Sequence, residues 1–154
     1  MPSMPTGLKA ILMFALASAI AGGAYAQGTE GGVKLPNDIV FKAPLTPGGT
    51  QTAVLYGDPT KEGLFVTRVK FAPGVKSMPH WHPDVARTVV VLSGTLYFAV
   101  GEQWDESKLK ACPAGTFIAE APRTPHFTWA KDGEVILQVT GIGPTGTTMI
   151  PQKQ

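Results

Sequence analysis

Three histidines, His80, His82 and His126, are the residues of this chain whose type and spacing point to chemistry. Imidazole is the commonest metal ligand and a general base near neutral pH. His80 and His82 flank Trp81. In extended backbone, residues two apart point to one face with their roots about 6.5–7 Å apart. A curved strand can then turn both rings onto one ion at about 2.0–2.1 Å, with Trp81 facing the other way. His126 lies 44 residues after His82, behind Pro122-Arg123-Thr124-Pro125. Those prolines force a turn and hold their neighbours extended or bent. If the strands carrying His82 and His126 face each other, three neutral imidazoles converge. Taken singly, each histidine reads as an ordinary core or surface residue.

The elements that must position these rings are strands. Glycine and proline make up 32 of 154 residues, about a fifth of the chain against roughly an eighth in average proteins. That density excludes a helical bundle and favours short strands joined by turns. Strand-like runs occupy 52–56, 64–71, 88–92, 95–100, 116–119, 126–130 and 134–140. In the second, Phe65, Thr67, Val69 and Phe71 share one face while Arg68 and Lys70 share the other, the period of a half-buried strand. Ser93-Gly94 joins two runs as a hairpin. Residues 105–110 form a helical turn or a loop. At least seven strands at this spacing predict an all-β sandwich or barrel. Trp104, Trp129, Phe98 and Phe127 read as core or rim packing, and 141–146 as a turn-rich exit from the last strand with no chemistry of its own.

Composition bounds the rest. Thirteen Lys plus Arg against eleven Asp plus Glu give a formal charge of +2. The basic residues are scattered, so no nucleic-acid footprint is expected. Cys112 is the sole cysteine. An intrachain disulfide is impossible, the fold must rest on its core, and Cys112 itself reads as a small buried hydrophobe. Lys9 precedes an apolar run at 10–21, which ends at Gly22-Gly23 and is followed by Ala24-Tyr25-Ala26. This is the pattern of a signal peptide, too short to span a bilayer. Residues 1–26 are expected to be removed, 27–51 to form an extended arm, and 52–150 to form the barrel. The expected product is exported, most simply to a bacterial periplasm, with no stable membrane insertion after cleavage.

Glycines and prolines around the histidines carry a resemblance. Five residues separate Gly74 from His80, and Gly94 stands twelve positions after His82. Pro113-Ala114-Gly115, then Pro125 and His126, follow later. The pattern resembles the two signature motifs of the cupin superfamily over residues 52–149. The resemblance implies a small antiparallel β-barrel of jelly-roll type, a metal site inside it built by His80, His82 and His126, and commonly a homodimer. The bound ion would be iron, manganese, zinc, nickel or copper, a choice the sequence leaves open.

Two positions depart from the family pattern. Where the first motif has a glutamate, this chain has Arg87, which is permanently cationic and has no lone pair for a metal. Where the second often ends in asparagine, it has Ala130. Glu120, which interrupts the apolar run Phe117-Ile118-Ala119, is the candidate substitute. Three placements are open for it: outward into water, inward and paired with Arg87, or directly on the metal. Arg87 in turn could anchor a substrate carboxylate through two parallel hydrogen bonds, or sit at the surface paired with Asp84. Three neutral ligands leave an ion with open positions, which suits oxygen activation, as in cupin dioxygenases that lack the glutamate, or Lewis-acid chemistry. The expected function is metal-dependent chemistry on a small organic molecule, oxygenase ahead of isomerase or lyase. The alternative is a non-catalytic module that binds or senses a metal or ligand.

Overall fold

The computed structural model describes residues 32–45 and 48–153. The expected leader, 1–26, and the start of the arm lie outside the described residues. Ten strands are present among the described residues: β1 Gln51–Tyr56, β2 Gly63–Phe71, β3 Lys76–Trp81, β4 Arg87–Ser93, β5 Thr95–Val100, β6 Lys110–Pro113, β7 Phe117–Glu120, β8 His126–Trp129, β9 Val135–Gly143 and β10 Thr148–Met149. Short 3-10 turns occupy Pro36–Asp38 and Glu106–Lys108. Every strand pair is antiparallel. The strands form two five-stranded sheets, β1-β2-β9-β4-β7 and β10-β3-β8-β5-β6. The chain is therefore all-β and of jelly-roll type. Its sheets face each other as a sandwich and do not close into one hydrogen-bonded barrel, because each ladder stops at its edge strands and loops make the corners.

The seven runs expected from sequence all appear as strands, with three more. Of these, β3 is the informative one. It contains Pro79, which has no N–H to give a ladder and argues against a central strand. The chain accommodates it with a register irregularity against β8 between Ser77 and His80. Such irregularities bend a strand and re-aim its side chains.

Alternation builds the core. Along β9, Val135, Leu137 and Val139 point inward and are buried, while their neighbours are half-buried. Phe65 and Phe71 of β2, Val89 and Val91 of β4, and Leu96 of β5 complete the same cluster, and Cys112 packs against it partly buried. Burying each large apolar side chain contributes about 1.5–3 kcal/mol. The hairpin between β4 and β5 needs Gly94, whose φ is +75° and whose missing Cβ would fall 2.3 Å from the Glu134 carbonyl oxygen. Ahead of β1 the arm runs mostly exposed and is tied down where Lys42 N donates to Thr52 O (2.8 Å).

Candidate metal centre

Register brings the first two rings together. His80, near the end of β3, lies directly opposite His126, the first residue of β8. Their ring centroids are 4.4 Å apart. His82 follows β3 by one residue, its ring 4.9 Å from that of His80 and 5.3 Å from that of His126. Trp81 faces away, with the Arg123 guanidinium over its ring. The turn before β8 holds both ends of this arrangement. Arg123 sits at φ +55° and donates its N–H to His82 O (2.9 Å). A non-glycine residue in that region costs energy and persists only where its surroundings impose it.

Each ring is oriented by a backbone carbonyl. His80 Nδ1 donates to Met78 O (2.7 Å), His82 Nδ1 to Gly146 O (2.6 Å) and His126 Nδ1 to Thr124 O (3.0 Å). A carbonyl only accepts, so each Nδ1 carries the proton and each Nε2 keeps a lone pair. This is the outer-shell arrangement that fixes the tautomer of metal-binding histidines. One ligand atom from each of the three rings lies within 4.8 Å of the others. Burial, followed by the neighbouring His126 ring, lowers the pKa of His80 to about 4. Burial, followed by the Arg87 charge, lowers that of His82 to about 4. Both rings are thus neutral at pH 7, the form a metal requires. The donor set fits an ion with nitrogen bonds of about 2.0–2.1 Å once the rings draw in slightly.

Arg87 and Glu120 are cross-strand neighbours, in register between β4 and β7. Glu120 does not point into water. Its side chain is 10% exposed, and Oε2 accepts from Arg87 Nε at 2.6 Å. Its other oxygen, Oε1, lies 3.6 Å from His126 Nε2. Glu120 does not belong to the convergent donor cluster, which holds the three histidines alone. Arg87 does pair with Asp84, as one sequence reading had it, but not at the surface. Nη1 donates to Asp84 Oδ2 at 3.2 Å, and the two side chains are 12% and 0% exposed. Nη1 also donates to Thr145 Oγ1 (3.3 Å), whose hydroxyl donates to Asp84 Oδ1 (2.6 Å). With Nε and Nη1 both engaged, the guanidinium is not free for a two-pronged grip on a substrate carboxylate. It holds Glu120 instead.

Sequence reasoning undervalued the loop after β9. There Gly146 orients His82 and Thr145 closes the Asp84–Arg87 pair. Its only signal was a turn-rich composition. Asp84, read as a surface partner, is 2% exposed. The rings, Arg87 and Glu120 line a cavity of about 680 Å³ between the sheets, which also touches the exposed arm at Lys42 and Gly48.

A family model described as Cupin matches residues 47–154. The chain is 34% identical over 67 residues to germin-like protein 5-1 of Oryza sativa subsp. japonica, a match covering 42% of this chain and 29% of that relative. The chain thus spans under a third of the length of the curated relative it matches. Among solved structures, polyketide cyclase RemF from Streptomyces resistomycificus superposes with a TM-score of 0.65 at 16% identity, over 80% of this chain and 87% of that one. An oxalate oxidase in complex with glycolate gives 0.53 at 23% identity, over 70% of this chain and 58% of that one. At these identities the structures speak for the shared fold.

Proposed function

The chain belongs to the cupin family, and on that premise we propose that it holds a divalent transition metal on Nε2 of His80, His82 and His126 and acts on a small organic molecule beside it. The observation that carries this reading is the set of three Nδ1–carbonyl hydrogen bonds, at 2.6 to 3.0 Å, that leave each Nε2 lone pair free in a cluster whose ligand atoms lie within 4.8 Å of one another. An all-imidazole set suits iron, nickel, copper or zinc. Such an ion would supply Lewis acidity and open positions for a substrate or for dioxygen.

The chain's own residues do the rest. Glu120 is the proton acceptor: Oε1 faces the histidines while Oε2 is fixed by Arg87. Arg87 is a positioning residue that acts through Glu120 and is itself held by Asp84 and Thr145. Oxygenase chemistry is the leading reaction class. The oxalate oxidase and polyketide cyclase neighbours support a reacting cupin, each only for its own named chemistry. We also take residues 1–26 as an export leader, with a periplasmic product, and a homodimer as its assembly. These rest on sequence pattern and resemblance.

The decisive experiment is metal analysis of protein purified without a His tag. Stoichiometric metal that is lost in His126→Ala is the expected result. Absence of metal, or unchanged content in that variant, overturns the reading. Oxygen uptake with a panel of small acids, thiols and phenols then separates an oxygenase from a metal-holding module without turnover.

A further inference from the structure

The two sheets differ in what lies over their outer faces. On sheet β10-β3-β8-β5-β6, Phe127 and Ala99 point outward yet are 0% and 5% exposed. The loop after β5 folds back over them and sets the Trp104 ring 5.1 Å from that of Phe127. The C-terminal segment fastens this loop: Gln152 Oε1 accepts from Trp104 N, and Gln152 Nε2 donates to Glu102 O. Nothing among the described residues does the same for sheet β1-β2-β9-β4-β7. Strand β2 turns Phe65 and Phe71 into the core, so Leu64, Val66, Arg68 and Lys70 point outward. Cross-strand partners share a face. Ile142 therefore lies beside Leu64, and Val90 and Phe117 continue the row that holds Arg68 and Gln138. Leu64, Ile142 and Phe117 are 38–63% exposed.

Charge and area narrow the occupant. Arg68 has no ion pair among the described residues, and its Nε is buried without a hydrogen-bond partner. Lys70 has the Phe41 ring alone, at 4.6 Å. The outward strand residues of this face include no acid. Glu62, exposed just before β2, has no ion pair among the described residues either. A two-fold axis lying in the face and crossing the strands reverses β2, and so sets Arg68 of one copy toward Glu62 of the partner subunit. One patch then serves both copies. Five strands about 4.8 Å apart, over about six residues each, make a face of about 24 by 20 Å, or about 500 Å². A standard interface takes about 800 Å² from each partner. The arm can supply the remainder. Phe41 rests against the outward Lys70, and Val33, Leu35 and Val40 ahead of it are 60–87% exposed.

We propose that the outer face of sheet β1-β2-β9-β4-β7 is the docking surface for a second copy of this chain, packed face to face about that two-fold axis, with each arm laid along the other subunit. The inference assigns a surface and a geometry to the assembly and does not depend on the metal. Sedimentation equilibrium on the full chain tests it. The wild type is expected to be a dimer. Leu64→Lys and Ile142→Lys each weaken self-association at least about tenfold, because each forces a charge into an apolar contact. Val33→Asp with Val40→Asp weakens it as well. Val100→Lys, at a residue 57% exposed on the other sheet, leaves it unchanged.

Arg68→Glu and Glu62→Arg each weaken the dimer about fivefold, and the two together restore it, since the pair is made between copies. The substituted side chains are exposed or at the rim of the single chain, so circular dichroism of each variant stays that of the wild type. A monomeric wild type, a dimer that survives Leu64→Lys with Ile142→Lys, one indifferent to the arm changes, or a charge reversal that the double variant does not restore overturns the inference. A monomer that floats with anionic vesicles overturns it too and gives the face to a lipid surface. Metal content of the same samples reports on the metal reading alone. A dimer without metal upholds the docking face and removes the metal.

Discussion

Replacing Arg87 with methionine is the sharpest perturbation of the pocket. The guanidinium makes charge-assisted hydrogen bonds to two carboxylates at once, 2.6 Å to Glu120 and 3.2 Å to Asp84. Their side chains are 10% and 0% exposed, so water does not replace the lost donors. Removing one partner of a buried pair typically costs about 3–5 kcal/mol, because the other charge is left uncompensated. Here two are left, so the upper end is expected. Against a total stability of about 5–15 kcal/mol this is a large fraction.

Urea unfolding at pH 7 measures it. With a slope of about 2 kcal/mol/M for a domain of this size, the midpoint should fall by about 2.5 M at unchanged slope. Arg87→Met combined with Asp84→Asn and Glu120→Gln should recover more than half of the loss, since the cost lies in stranded charge and not in the missing side chain. Arg87→Lys should recover little, because a point charge cannot reproduce the fork that spans both acids. A loss below about 1 kcal/mol in Arg87→Met, the figure for an exposed pair, would refute the account of a sealed network.

Metal addition should stabilise the wild type by about 2.7 kcal/mol at a hundredfold excess over Kd and leave His126→Ala unmoved, read as thermal shifts with and without chelator. The metal-free protein should lose stability on acidification. The pKa values of His80 and His82 are lowered to about 4 in the folded chain, against about 6.5 unfolded. Between those values the unfolded chain binds more protons. Stability therefore rises with pH through that window, by up to roughly 1.4 kcal/mol per pH unit for each ring, and levels off above it. Urea midpoints that stay flat from pH 4 to pH 6.5 would contradict the burial of the rings. Gly94→Ala should cost about 2–4 kcal/mol by the same assay, combining left-handed backbone strain with an overlap that only strand movement relieves. A cost below about 1 kcal/mol would mean that the hairpin tolerates another turn.

What could be read from sequence followed locality. Strand β2 was legible because Phe65, Thr67, Val69 and Phe71 alternate with charged residues. The hairpin at Ser93-Gly94 was legible because its turn chemistry is local. The His-x-His pair was legible as one face of an extended segment. Strand β3 was not, because Pro79 contradicts a central strand unless the ladder skips there, and the skip is made by β8, far away in sequence. The Arg87–Glu120 pair was one of several open placements, because strand register decides it and register is a long-range quantity. Asp84 looked like a surface acid beside Pro83. Only the return of Thr145 and Gly146 over it, after the whole of β9, seals it.

The arginine in place of the family motif's glutamate then takes on a definite meaning. By itself it would put a fixed positive charge beside three imidazoles and oppose a cation there. The fold answers with two carboxylates, Glu120 from the neighbouring strand and Asp84 from the loop before β4, both bonded to the same guanidinium. The group of three carries one net negative charge, the same as the single glutamate of the motif. It places a carboxylate oxygen 3.6 Å from His126 Nε2. The substitution therefore relocates the negative charge and leaves its amount unchanged. It also makes Glu120 dependent on Arg87 for its orientation, and Arg87 dependent on Asp84 and Thr145. A decayed site would be expected to lose such interlocked partners piecemeal. Here the Thr145 hydroxyl and Arg87 Nε and Nη1 each have a carboxylate acceptor. The change reads as a rebuilt pocket wall, with its charge balance kept for a cation.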